Sequence, residues 1–228
     1  MTEFKRARGA KEKEIRRKSI LTSAIKLYQQ NPAALPTTSM IGKDAGVAKG
    51  TLYLYFRSKE EIFLAVLEEL HLKWLQTFHR SGEFDESIML MLIDNSCGFI
   101  EETPLFMQLG AMSASVIEQN VDSKILLTHK NTLAKAMKSA AQSLSKLVGS
   151  LSDEDAAALI IRSYAMLLGL WQLSHPTEKI NKVLMSPSLQ ILRPEFSTSA
   201  RQSLQQLWQA TLLNSKPEKG GIWKKLFS

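Results

Sequence analysis

Between Lys49 and Lys59 the chain sets an ammonium, a hydroxyl and two phenols at close intervals: Lys49, Thr51, Tyr53, Tyr55 and Lys59, with Gly50 among them. Ammonium and phenol groups donate to phosphate oxygens, and a threonine offers a hydroxyl and a methyl to base edges. A glycine leaves room for another backbone to approach. The chemistry open to this set is recognition of a polyanion. Bond-making would need a catalytic constellation, and four scattered His, one Cys and no H-E-x-x-H, G-x-S-x-G or C-x-x-C supply none. No His, Cys or acidic cluster shows ligand spacing, so neither a metal nor a cofactor is expected. GKDAGVAKGT looks like a phosphate loop only on the surface, because the Gly-Lys-Ser/Thr ending and a preceding buried strand are missing.

Two short helices must position these groups. Thr37 can accept from an orphan N–H at a helix start, and Ile41 and Ala45 recur four apart on one face, which predicts a first helix from Thr38. Gly46 tolerates the positive φ that stops a helix, and Val47 supplies the apolar contact for a second helix crossing the first. That second helix, predicted over 49–56, turns Leu52 and Phe56 inward and leaves Lys49, Thr51, Tyr53 and Tyr55 on its other faces. Two helices joined this way form a helix-turn-helix. Its expected contacts to duplex DNA are Thr37, Thr38, Ala48, Lys49, Gly50, Thr51, Tyr53, Tyr55 and Lys59, with Tyr53 the preferred phosphate partner and Tyr53 or Tyr55 able to pack internally instead.

Charge falls the same way. Residues 1–59 hold 13 Lys and Arg against 4 Asp and Glu, whereas residues 60–228 hold 16 against 18. Positive charge gathered around a helix-turn-helix favours phosphates over a membrane surface or plain solubility. Lys5, Arg6, Arg8 and Lys11 are expected to form an arm before the first helix.

The segment AGVAKGTLYLYFRSKEEIF resembles the DNA-binding segment of the tetracycline-repressor (TetR) family of bacterial regulators. The family pattern T-x-x-x-I-A-x-x-A-G-V-S-x-G-T-L-Y-x-Y-F-x-S-K-E is matched at Thr37, Ile41, Ala45, Gly46, Val47, Gly50, Thr51, Leu52, Tyr53, Tyr55, Phe56, Ser58, Lys59 and Glu60. Gly42 stands where the family usually has Ala, at about 1 kcal/mol of helix propensity, and Ala48 where it often has Ser. The resemblance implies a three-helix DNA-binding domain, a larger helical domain that dimerises and binds a small hydrophobic molecule, and repression at a palindromic operator relieved by that molecule. The alternative is an architectural DNA-binding protein without an effector.

The rest reads all-α. Apolar residues recur at three and four, with few β-branched clusters. The expected division is 1–57 for the arm and DNA-binding domain, 58–215 for an effector-binding and dimerisation domain opened by a connecting helix over 58–80, and 216–228 for a tail. Helices are predicted over 12–30, ended by Asn31-Pro32 with Asn31 in the left-handed region, and over 58–79, with Ser58 and Glu61 as a capping box. Further helices are predicted over 85–101, 104–117, 121–148, 152–174 and 197–213.

In the body, Phe99, Phe106, Met107, Met112 and Trp171 are candidates to line an apolar cavity, although plain core is the more frequent use of such residues. Arg162, His129, Glu118 and His175 are polar residues in apolar helices and would need partners if buried. His175 can instead cap the helix ending at Ser174. The resemblance puts the dimer interface on the last two long helices, at Ile161, Tyr164, Leu168, Leu204, Leu207, Trp208 and Leu212. Cys97 reads as a small buried hydrophobe, no secretory signal is recognisable, and a cytoplasmic protein without membrane attachment is expected.

Overall fold

The computed structural model describes residues 2–215, with side chains from Lys11 onward; the expected tail over 216–228 lies outside the described residues. Ten α-helices follow one another among the described residues, with no strand: α1 Thr2–Gln30, α2 Thr38–Asp44, α3 Lys49–Tyr53, α4 Lys59–Gln76, α5 Glu86–Glu102, α6 Pro104–Met112, α7 Ser123–Val148, α8 Asp153–Ser174, α9 Glu178–Leu184 and α10 Phe196–Asn214. A π-helical turn, Ser113–Ile117, and a 3-10 turn, Glu118–Asn120, separate α6 from α7, and a second 3-10 segment, Pro187–Leu192, follows α9. The chain divides into two compact units. One comprises the residues up to Leu72 with Pro104–Leu133, and the other Lys73–Thr103 with the residues from Ala134 onward.

The first unit is built on an apolar stripe of α1. Ile20, Leu21, Ala24 and Tyr28 are buried with Ile41 of α2, Leu52 of α3 and Phe63 of α4, and the Tyr28 and Phe63 rings meet edge to face at 5.6 Å. The local signals act as read. Thr37 accepts from Met40 N at 3.2 Å. Ser58 accepts from Glu61 N at 3.1 Å while Glu61 reaches back to Arg57 N at 2.7 Å, a capping box displaced by one residue. Gly46 has φ +65°, and Val47 N donates to Gly42 O at 2.9 Å, which closes α2 with a Schellman turn. Gly42 itself is buried, and a Cβ there would stand 3.1 Å from Val47 O. The propensity lost at this position is set against a close approach of α2 to the turn that alanine would crowd.

The second unit packs α10 on α5 and α8. Trp74, Phe78, Leu92, Ile93, Leu159, Leu167, Leu204 and Trp208 are buried in it. Arg201 ties α10 to α5 with a bidentate pair to Glu101 at 2.7 and 3.0 Å and a third bond to Asp94 at 2.9 Å. Cys97 is fully buried and burial pushes its thiol up to about 12, so it is an inert part of this core. α8 has the length and apolarity of a membrane span. Its buried residues nonetheless pack against α10, the arrangement of a core helix.

Several expectations are corrected. The arm before the first helix is backbone helix from Thr2, since Glu, Lys, Arg and Ala there are good helix formers and no proline interrupts them; the side chains of Lys5, Arg6 and Arg8 lie outside the described ones. No residue other than glycine has positive φ among the described residues, so Asn31 does not end α1 in the left-handed region. It ends the helix with its backbone N–H on Leu27 O and Tyr28 O, and its side chain accepts from Ala33 N at 3.4 Å. The second helix of the motif stops at Tyr53, and α9 with the 3-10 segment after it was not foreseen.

Candidate nucleic-acid interface

α1 holds α2 in place with two polar clamps besides the apolar stripe. Ser19 donates to Ala45 O at 3.3 Å, and Lys26 Nζ bonds Asp44 at 2.6 Å, holding that carboxyl below the usual carboxylate range. α3 is short. Leu52, fully buried, and Phe56, 6% exposed, anchor it from one side. The rest of its surface presents Lys49 and Gly50, both exposed, and Thr51, half-buried. Nothing lies within 4 Å of a Cβ built on Gly50. Ala48, with no side-chain oxygen, begins α3 without a capping bond.

Tyr53 is 42% exposed, and its hydroxyl lies 3.4 Å from Thr38 Oγ1, so a phenol of α3 and the first residue of α2 share one surface. Thr37 is exposed beside them. Tyr55 goes elsewhere. It is half-buried and lines a cavity with Phe56, Leu64 and His129. α3 ends at Tyr53, and Tyr55 lies in the turn beyond it with its N–H on Leu52 O at 2.9 Å, which is why the two tyrosines part. Lys59 is half-buried with its ammonium 3.9 Å from Glu60. The residues brought together are therefore Thr37, Thr38, Lys49, Gly50, Thr51 and Tyr53. Sequence reasoning missed Met40 and Leu54, exposed at 52% and 85%. Both lie off the stripes Ile41–Ala45 and Leu52–Phe56, and that offset was the available signal.

The nine effector candidates divide between the units. In the first, Phe106 and Met107 are plain core, Met112 is half-buried, and Glu118 is half-buried with Ser113 and Lys130 on its carboxylate at 2.8 and 2.7 Å. His129 is 4% exposed with Nδ1 on Glu68 at 2.9 Å, and it lines a cavity of about 230 Å³. In the second unit Phe99 lines a cavity of about 570 Å³ with Arg80 and Glu102. Arg162 is exposed at the rim of one of about 300 Å³ with Leu207 and Thr211, so it is not a buried polar residue in need of a partner, as its apolar neighbours in sequence suggested. His175 is likewise exposed. It caps α8, with Nδ1 3.2 Å from Trp171 O and its ring stacked 3.5 Å from that of Trp171. Each of these three cavities holds one of the nine.

Two of the dimer candidates are corrected by burial. Leu204 and Trp208 are each 1% exposed, on the side of α10 turned to its own unit. Ile161 is 54% exposed, and Tyr164, Leu168, Leu207 and Leu212 are half-buried. The Tyr164 ring stands 5.6 Å from that of Trp74.

Comparison with known proteins agrees with this arrangement. Residues 20–66 match the family model described as bacterial regulatory proteins, tetR family, and residues 94–212 match the tetracyclin repressor-like C-terminal domain. The chain is 26% identical over 171 residues to the uncharacterized HTH-type transcriptional regulator YhgD of Bacillus subtilis, covering 71% of this chain and 86% of that one. A fatty acid metabolism regulator protein of the same organism is 37% identical over 59 residues, 26% of this chain and 30% of that one. The nucleoid occlusion factor SlmA of Marinobacter nauticus is 40% identical over 57 residues, 25% of this chain and 29% of that one. A crystal structure assigned to the tetR family of transcription regulators, from Shewanella sp. PV-4, superposes with a TM-score of 0.53 at 16% identity, over 86% of this chain and 97% of that one. With family models matched at both its helix-turn-helix and most of its body, the chain belongs to the tetracycline-repressor family of DNA-binding transcription regulators.

Proposed function

We propose that the chain is a homodimeric repressor that lies on a palindromic operator and is released by a small hydrophobic molecule. The observation that carries the DNA half is the surface of α3: Lys49 and Gly50 are exposed and Thr51 is half-buried, while Leu52 and Phe56 anchor the helix. In this reading Lys49 and Tyr53 meet phosphates, Thr51 reads a base edge, and Thr37 and Thr38 hold the adjoining backbone. Lys59 reaches a phosphate at the edge of the site. Residues 1–57 are the DNA-binding part, and 58–215 bind the effector and the second copy. One recognition helix reads too few base pairs to select a site in a genome, so two copies a DNA turn or more apart are needed. The outer faces of α8 and α10, with Ile161, Leu168, Leu207 and Leu212, support that pairing. A regulator of this kind works in the cytoplasm.

Selection of bound fragments from the source genome tests the reading and yields the duplex. Thr51→Ala is expected to weaken binding to that duplex by about 1 to 3 kcal/mol, a loss of about 5- to 150-fold, and to relax preference at one base position. Unaltered affinity and preference would remove Thr51 from the interface. Gly50→Ala separates folding from recognition. Its Cβ meets no atom of the protein, so thermal stability should hold or rise by up to about 1 kcal/mol, while affinity for the duplex falls because the methyl stands where DNA backbone approaches. Equal affinity in a fluorescence-anisotropy titration would put the DNA backbone elsewhere.

A further inference from the structure

We propose that the cavity beside His129 binds one small neutral molecule of phenol size, which donates a hydroxyl or N–H hydrogen to His129 Nε2. Among the described residues this Nε2 is the buried side-chain nitrogen left without a hydrogen-bond partner. The other ring nitrogen is committed, with Nδ1 2.9 Å from Glu68 Oε2. An ionised carboxylate only accepts, so in the neutral ring the hydrogen sits on Nδ1 and Nε2 is left as an acceptor. A buried acceptor with nothing to accept from has lost its water without replacement. The space beside it, about 230 Å³, is several times the share of one water and falls below the range of drug-sized pockets. One ring with a single substituent is the size it admits.

The walls decide the rest. Phe56, Leu64, Ala65 and Ile125 supply apolar surface. The charged lining is already engaged: Arg17 bonds Glu69 at 3.0 Å with its guanidinium 5.7 Å from the Phe56 ring centroid, and Glu61 holds Arg57 N. With Glu61 and Glu68 both in the lining against Arg17 alone, an anion is disfavoured. A histidine braced by a carboxylate is also the usual support of a metal ligand. No group of three His, Cys, Asp or Glu able to hold an ion exists among the described residues, so a hydrogen donor is the occupant that fits. The walls come from α1, from the residues just after α3, and from α4 and α7. An occupant would touch α1 and the residues just past α3, Tyr55 and Phe56, and any effect on DNA rests on the ligand-released reading above.

The test titrates the full chain, free of DNA, with phenol, anisole and benzoate by calorimetry, while the ¹⁵N signals of the His129 ring are followed by NMR. Saturable phenol binding that moves the Nε2 signal is expected, at least tenfold weaker for anisole, which has no donor, and absent for the benzoate anion. Ala65→Leu fills the cavity and leaves the His129–Glu68 pair in place, so it should abolish phenol binding in a folded protein; His129→Phe, if it folds, should bring phenol down to the affinity of anisole. Absence of saturable phenol binding, equal affinity for phenol and anisole, or unchanged binding in Ala65→Leu would overturn the site. A selected duplex added afterwards separates the two readings. Phenol bound as described with DNA affinity unaltered keeps the site and refutes release through it, whereas release of DNA by another compound with no phenol binding refutes the site alone.

Discussion

Trp208→Ala is expected to lower the unfolding free energy by about 3 to 5 kcal/mol. The indole is 1% exposed, stacks on Phe78 at 6.2 Å between ring centroids, and donates from Nε1 to Ser163 Oγ at 3.0 Å. Ser163 is itself fully buried and spends its own hydrogen on Leu159 O at 2.8 Å. Truncation therefore opens a large cavity and strips a buried hydroxyl oxygen of its donor, two costs that add. Trp208→Phe keeps most of the packing and loses the bond, and should cost roughly 1 to 3 kcal/mol. Denaturant titrations at several fixed protein concentrations check this. The difference between variant and parent should be the same at each, because the side chain packs inside its own unit. A loss under about 1 kcal/mol, or one present only at low concentration, would return Trp208 to the surface where sequence reasoning put it.

That reversal shows what the sequence carried. Turn and cap chemistry is local, so Thr37, Gly46 and Ser58 marked helix ends that the fold reproduces. Periodicity found the apolar positions of α10 but not what covers each of them. Leu204 and Trp208 meet their own unit while Leu213, five residues past Trp208, is 66% exposed. Burial cannot be read from apolar neighbours in the chain either. Arg162 sits in an apolar run and is exposed, because its face of α8 is not the one that packs. α9 escaped notice for a related reason: seven residues between proline-bearing turns, with Ile180 and Val183 both at least half exposed, show no inside and outside. In the recognition surface the residue types were legible and Tyr53 was preferred over Tyr55, but the reason for their division was not legible. It depends on how far α3 runs and which elements wall the neighbouring cavity. His129 stood out as polar in an apolar helix, but its partner Glu68 is 61 residues away and only the fold joins them.

Acidification from pH 7.5 to pH 5 is expected to cost about 2 kcal/mol of stability through His71 alone. This residue of α4 is largely buried against Phe106, whose ring meets it edge to face at 4.9 Å, and its Nδ1 lies 3.1 Å from Leu67 O. Burial lowers its pKa to about 4; the Leu67 carbonyl and Glu118 oppose the shift, and His129 and Lys130 add to it. The folded value lies below the ordinary histidine value of about 6.5, so the unfolded chain takes up the proton first. Stability therefore falls as pH falls from about 6.5 towards 4 and levels off once both states are protonated, a total of roughly 3 kcal/mol. Carboxylates held low, among them Glu118 and Glu101, add their own losses near and below the ordinary carboxylate range, so the interval above pH 5 sets the imidazole apart from them, and comparison with a variant sets it apart from the other histidines. Urea titrations of the parent and of His71→Gln at pH 7.5, 6 and 5 provide the measurement. The parent should lose about 2 kcal/mol more than the variant across that interval. Parallel profiles would mean that the ring is hydrated in the native state. Because His71 belongs to the unit that contains α1 to α3, the same interval should show a larger population of locally opened recognition surface, read as faster amide exchange in α2 and α3 at pH 5 in the parent than in the variant, after correction for intrinsic rates.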